Sequence, residues 1–375
     1  MPGLHIILPV GFIVAVMALG ALAATDNLPE PIGDLVGQDD PLNPPCHLGL
    51  FRRSPEEPPQ PRGVRWRNEP RAPRAPVEGS ATAVGDVVYA TNGSGPHDLR
   101  RVLAFDTRTR RWSEPTQTPV GLNHNQPVGY RGDLYLAGGF LDGVDPTARF
   151  WRYDIDGDRW NELPQMREPR GGVGAAVIGD KLYSVGGGEN EFYFEGVVRG
   201  TPTLEIYDFR TGEWTTGPDM PHPRHHVTAG AVDGKLYVVG GRSMERQALT
   251  VVDRYDPKTG EWETLAPLPI GVSSAGVTSA AGKLVVSGGA DETNWREGGG
   301  YVTPSAWAYD PKGERWERLP DHHIERRGHG AATANGRVYA LMGSPCTGIK
   351  ETGPTGTRTV ESLPVSAIRE SPPER

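Results

Sequence analysis

Gly234-Lys-Leu-Tyr-Val-Val-Gly-Gly241, followed by Tyr255-Asp-Pro-Lys-Thr-Gly-Glu-Trp262, decides how this chain folds. The first segment alternates apolar and polar residues as a half-buried strand does, and it ends in a glycine pair. The second closes a strand with Tyr-Asp, turns through Asp256-Pro-Lys-Thr-Gly260, and places a Trp seven residues after the Tyr. Each turn residue has a job: Asp bonds the backbone that follows, Pro presets φ, and Gly supplies φ > 0.

The pair of segments recurs. Trp66, Trp112, Trp160, Trp214, Trp262 and Trp316 stand at intervals of 46, 48, 54, 48 and 54 residues. Glycine pairs at 138–139, 186–187, 240–241 and 288–289 keep step, with weakened versions at Asn92-Gly93 and Met342-Gly343. Phe105-Asp106, Tyr153-Asp154, Tyr207-Asp208, Tyr255-Asp256 and Tyr309-Asp310 each put the aromatic seven residues before a Trp. Several registers agreeing at one period mark a repeat architecture, and they turn a high Gly and Pro content into periodic turns instead of disorder. Each unit reads as four short strands. The first is small and apolar (Thr228-Ala-Gly-Ala-Val232), the second ends in the Gly pair, the third in Tyr-Asp, and the fourth carries the Trp.

At these Gly-Gly, Tyr-Asp and Trp positions the chain resembles the kelch-repeat β-propeller family, over residues 63 to about 365. The resemblance implies an all-β fold of four-stranded antiparallel blades around one axis. Small residues then suit the crowded innermost strands, and the large aromatics suit the gaps between twisted blades. Five complete units run from about residue 77 to 320. Only three strands follow them, Gly330–Ala334, Arg337–Gly343 and Arg358–Leu363. The missing Trp-bearing strand stands at the other end, in Gly63-Val-Arg-Trp-Arg-Asn68, so the expectation is a six-bladed propeller whose last blade is closed by the N-terminal strand. Such closure removes the exposed edges of an open array. Residues 366–375 read as a flexible tail.

The net charge of −8 is spread along the chain and suggests no nucleic-acid partner. Residues 4–24 are apolar apart from His5 and end in Ala21-Leu22-Ala23, which reads as a cleaved secretory signal. The run is also long enough to span a bilayer as an anchor. Either way the expectation is an exported protein: secreted, periplasmic or on the cell surface. Residues 25–62 are rich in Pro and acidic residues and read as an irregular lead-in. Cys46 and Cys346 are the only two cysteines. In an exported protein a lone pair reads as a disulfide, and here it would lock the closing strand to blade six.

The fourth-to-first junctions and the second-to-third loops of such blades emerge on one face. Seven of the ten histidines fall at those junctions: His124, His222, His225, His226, His322, His323 and His329. Arg170, Arg224, Arg326 and Arg327 join them. Aligning the repeats places Glu78, His124, Gly172, His226, Ser274 and Gly328 at one ring position around the channel mouth. Arg and His there would act as charge-assisted donors to an anionic or polyhydroxyl ligand. The second-to-third loops of blades three and five are six residues longer than those of blades two and four, and they align Tyr193 with Trp295 and Glu195 with Glu297. A flat ring beside polar groups is the equipment of sugar or peptide recognition. The ligand-binding candidates are therefore Glu78, His124, Arg170, Tyr193, Glu195, Arg224, His226, Ser274, Trp295, Glu297 and Arg327.

No metal site or cofactor is expected. His225 and His226, adjacent on a strand, would point to opposite faces. Asp154-Ile-Asp-Gly-Asp158 resembles the start of a calcium loop, but it coincides with the hairpin turn of every unit and has no Glu at the twelfth position. The kelch-type copper oxidases need a Tyr crosslinked to a Cys, and neither Cys lies near a Tyr in a blade strand. Exported sialic-acid mutarotases are similar at the level of fold alone. The leading expectation is thus a non-enzymatic extracytoplasmic module that grips an acidic ligand, a glycan or a protein partner by its loop face. The alternative is a sugar isomerase or mutarotase using Glu195, Glu297 or a mouth His as acid and base.

Overall fold

The computed structural model describes residues 60–61, 63–91, 93, 100–142, 145–188, 199–243, 247–291, 300–346 and 356–369. Within them the glycine pairs end each second strand as the repeat demands. In blade four the inner strand Thr228–Val232 pairs with Lys235–Val239, that strand with Val252–Asp256, and that in turn with Glu261–Thr264, all antiparallel. Gly240 and Gly241 then take φ of 58° and 99°. A Cβ on Gly240 would stand 2.2 Å from the Val272 carbonyl oxygen of the next junction, so the backbone of the neighbouring blade occupies the space.

Six sheets of this kind are present among the described residues. Their inner strands are Ser80–Val84, Val128–Tyr130, Gly174–Ile178, Thr228–Val232, Gly276–Ala280 and Gly330–Ala334. Each lies beside the next, and the last lies beside the first, so the ring closes. The closing strand is Arg67–Asn68, which pairs with Ser362 and Glu361 of the strand Val360–Pro364. The six-bladed architecture and its N-terminal closure are therefore as the repeat count implies.

In blade one Phe105 takes the Tyr position, and in blades two to five the Tyr and Trp face each other across the third and fourth strands, as in Tyr255↔Trp262 and Tyr309↔Trp316. Their ring centroids lie 5.2 and 5.1 Å apart. The indoles also have a polar task. Trp112, Trp214, Trp262 and Trp316 donate Nε1–H to the carbonyls of Pro70, Pro164, Pro218 and Ala266, each on the preceding blade. Trp66 does the same across the closing seam, to Pro320 at 2.8 Å. A packed aromatic whose N–H finds a fixed acceptor contributes both area and direction, and here it sets the spacing between blades.

Two departures follow from packing. Residues 366–369 form a short helical turn, Ser366–Arg369, in place of the expected flexible tail. Its Ile368 is buried in the cluster that contains Trp66 and Leu363, which ties the C-terminal end of the propeller to the closing strand. Second, the turn Asp154–Asp158 is filled by its own chain. Asp154 accepts Gly157 N–H and pairs with Arg159, and Tyr153 donates its hydroxyl to Asp158. Among the described residues no helix is long and apolar enough to cross a membrane.

Candidate functional site

The junctions and loops meet on one face, as the topology requires. Each junction residue pairs with the residue after a glycine pair, in Gly171↔Gly188, His225↔Arg242, Ser273↔Ala290 and Arg327↔Ser344. One residue further on stands the aligned ring position, and every member of it has a left-handed backbone. The φ values are 58° for Glu78, 52° for His124, 67° for Gly172, 52° for His226, 50° for Ser274 and 53° for Gly328. Side-chain residues rarely adopt that region. Here the neighbouring blades hold it, because Gly172 N–H donates to His124 O, Ser274 N–H to His226 O and Gly328 N–H to Ser274 O. The strain is a property of the ring and not of a catalytic residue.

The two ring glycines make room for specific partners. A Cβ on Gly328 would sit 2.6 Å from the Glu78 carboxylate, and one on Gly172 would sit 2.9 Å from His226 N. Glu78 therefore folds back over Gly328 to Arg327, crossing the seam between blades one and six. Its other oxygen lies 3.3 Å from His124 Nε2. Burial alone would raise this carboxyl, but the charges of Arg327 and His124 outweigh it and hold it well below the usual range. A carboxylate held so low is a poor proton donor near neutrality. His124 packs edge-on against His226, with ring centroids 4.7 Å apart.

His225 and His226 do not diverge, contrary to the strand-alternation expectation. The left-handed backbone at His226 breaks the alternation, and the two imidazoles meet at 4.7 Å and share a hydrogen bond through their Nδ1 atoms. Among the described residues no group of three His, Cys, Asp or Glu side chains could hold a metal ion.

Arg170 and Arg224 correct the expectation of a cationic mouth. Both are fully buried inside blades. Arg170 pairs with Glu205 at 3.1 Å and caps the carbonyls of Gly186 and Thr203. Arg224 pairs with Asp253 at 2.7 Å and donates to the carbonyls of Gly240, His222 and Val238. Arg326 repeats the arrangement with Glu361. The same carboxylates accept junction backbone, Arg167 and Glu168 N–H on Glu205 and His323 N–H on Glu361. Arg327 is buried too, committed to Glu78 and the Cys346 carbonyl.

The ring lines a half-open recess of about 60 Å³, bordered by Glu78, His124, His226, Ser274 and His329 among others. That is room for a few waters, far below the roughly 300 Å³ at which small-molecule pockets begin. Below it lies a channel compartment of about 270 Å³, lined only by uncharged residues of the inner strands. Gln126 borders both. Its carbonyl accepts the N–H groups of Ala175 and Ala229, and its amide donates to Ala229 O at 2.6 Å, so it reaches from blade two to blades three and four. The equivalent residue begins the inner strand elsewhere, as Ser80, Gly174, Thr228, Gly276 or Gly330. In blade two Pro127 follows, its missing N–H delays the strand to Val128, and Gln126 is left to cross the channel. Sequence reasoning missed this residue, although a Gln-Pro amid small residues was visible. The expected site residues Tyr193, Glu195, Trp295 and Glu297 lie outside the described residues.

Residues 88–344 match the family model of the Attractin/LZTR1 β-propeller. Among curated proteins, the Kelch-like protein terF of Aspergillus terreus is 34% identical over 183 residues, 44% of this chain and 39% of that protein. Kelch-like protein 41b of Danio rerio is 32% identical over 143 residues, 38% of this chain and 22% of that protein. The chain thus spans well under half the length of these relatives. A solved structure, that of YjhT, superposes with a TM-score of 0.66 at 17% identity, over 79% of this chain and 96% of that one, and shows the fold.

Proposed function

Since the chain belongs to the Attractin/LZTR1 family of kelch-repeat β-propellers, we propose that it is a non-enzymatic binding module that engages a protein partner through its loop face. The observation that carries this reading is the mouth itself. Its arginines are spent on buried carboxylates, and its central recess, about 60 Å³, is small beside the pockets that hold small molecules. The outer surface of the loops remains for recognition, together with a recess of about 580 Å³ beside His322 and His323 at the junction into blade six. A photoreactive residue at Gln247, exposed on the loop face, should crosslink a protein partner in the host cell. One at Asp233, exposed on the opposite face, should not. Adducts from Asp233 alone would place the interface on the wrong side. The mutarotase alternative is tested by NMR of anomer exchange in N-acetylneuraminate. Exchange at the buffer rate is expected, and catalysed exchange would overturn the binding-only reading.

We also propose that the module works outside the cytoplasm. The apolar segment 4–24 and its Ala-Leu-Ala ending support this, and the buried position of Cys346 suits the bridge to Cys46 that an exported protein would carry. Its expected partner Cys46 lies outside the described residues. Closing a loop of about 300 residues contributes roughly 4–5 kcal/mol in the chain-entropy model. Peptide mapping without reduction should recover a Cys46–Cys346 peptide from protein beginning near residue 25. Two alkylatable thiols would refute the bridge.

A further inference from the structure

The cations expected at the mouth are internal, yet exposed arginines do gather elsewhere. Residues 63–74 and 100–114 hold nine arginines, no lysine and three acidic residues, a local +6 in a chain whose total is −8. The structure brings the two segments together along the outer edge of blade one. Trp112 Nε1–H donates to Pro70 O and fixes one segment against the other.

Two carboxylates in this strip are each held by two guanidinium groups. Glu69 receives Arg67 and Arg110, each through Nε at 2.9 Å, and Glu114 receives Arg74 at 3.0 Å and Arg101 at 2.8 Å. Among the described residues these four arginines meet two acids, and the two segments together carry nine arginines against three acids. Arg108 and Arg111 extend the strip at the hairpin end, both exposed; Arg108 faces Asp86 at 2.6 Å and the carboxylate of Asp106. The strip follows the strand Arg101–Asp106, about 20 Å at ~3.3 Å per residue.

We propose that this edge is a second interaction surface, for an extended acidic polypeptide segment of about six residues. The guanidinium forks already grip side-chain carboxylates two to one, which is the geometry such a segment would use. A bilayer is disfavoured because Trp66, Ala72 and Val102 through Phe105 are buried, leaving no apolar wedge to insert. A glycan is disfavoured because Trp66 and Phe105 are buried and Trp112 is half-buried, so no open ring offers a stacking face. The surface is separate from the loop face and stands independently of the reading given for it.

The probe is a fluorescein-labelled hexaglutamate peptide, titrated by fluorescence anisotropy against the full chain. Saturable binding is expected, weakening about tenfold between about 50 and about 200 mM salt. Arg108→Glu combined with Arg111→Glu should weaken it about tenfold or more, with the melting temperature unchanged because both side chains are exposed. Arg210→Glu, on a similarly exposed hairpin of blade three, should have no effect. The proposal falls if the peptide does not saturate, or if Arg210→Glu weakens it equally. It falls as well if heparin oligosaccharide or phosphatidylserine vesicles bind as tightly with the same dependence on the double variant.

Discussion

Replacing Arg224 by Ala destabilises the folded protein by about 3–5 kcal/mol, the cost of leaving a buried carboxylate uncompensated. Asp253, the partner left behind, is wholly buried, and its surviving contacts are His222 at 3.1 Å and Thr264 Oγ1 at 2.8 Å. Neither replaces a guanidinium that also satisfied three backbone carbonyls. Loss of an arginine that served a ligand at an open mouth would instead cost ligand capture at unchanged stability. The burial of Arg224 reverses it. The repeat itself supplies the control. Blades three, four and six carry the pairs Arg170–Glu205, Arg224–Asp253 and Arg326–Glu361. At the equivalent positions blade two has Leu122 and Trp151, and blade five has Val272 and Trp307, in each case within one apolar cluster. A well-packed apolar pair of similar volume often matches or exceeds a buried ion pair in stability. The double variant Arg224→Leu/Asp253→Trp should therefore recover most of the loss and fall within about 2 kcal/mol of the parent. Denaturant midpoints with unchanged m-values would measure both effects. A double variant as unstable as Arg224→Ala would show that the arginine acts through its carbonyl contacts and not through the pair.

Acidification should weaken the propeller before any carboxylate titrates. His322 and His329 are both buried, at 5% and 3% exposure. Burial is the first cause that lowers each of them, and for His329 the charges of Arg326 and His322 push further, well below the ordinary value. The groups facing them are Glu361, Arg326 and Asp321 for His322, and Ser287, Arg326, Glu361 and Glu78 for His329. Trp66 covers His322 at a ring separation of 4.1 Å. Because the folded values lie below that of the unfolded chain, the unfolded state binds more protons below about pH 6.5. Stability is thus complete above that pH and falls as pH drops, by up to about 1.4 kcal/mol per pH unit for each histidine. Below the ordinary carboxylate value Glu78 and Glu361, both held low in the folded state, add a second decline. His329→Gln should flatten the first slope and leave the second. Parallel curves for parent and variant would remove His329 from the account.

The period of Trp, Tyr-Asp and Gly-Gly was sufficient for the fold, the blade count and the closing strand, because each motif residue meets the same surroundings, in its own blade or the adjacent one, at every repeat. The ring position was legible for the same reason. Glu78, His124, Gly172, His226, Ser274 and Gly328 occupy one backbone conformation, and alignment recovers what the backbone repeats. Even the ion pairs left a trace, an acid two residues before the Tyr position in those blades whose junction carries Arg. Only the tertiary structure decided where those arginines point. A guanidinium at a junction can reach solvent or the third strand of its own blade, and the choice depends on whether a carboxylate and open carbonyls wait there. The same holds for the strip of arginines along blade one, built from segments that meet only when the ring closes, and for Gln126, whose partners lie one and two blades away.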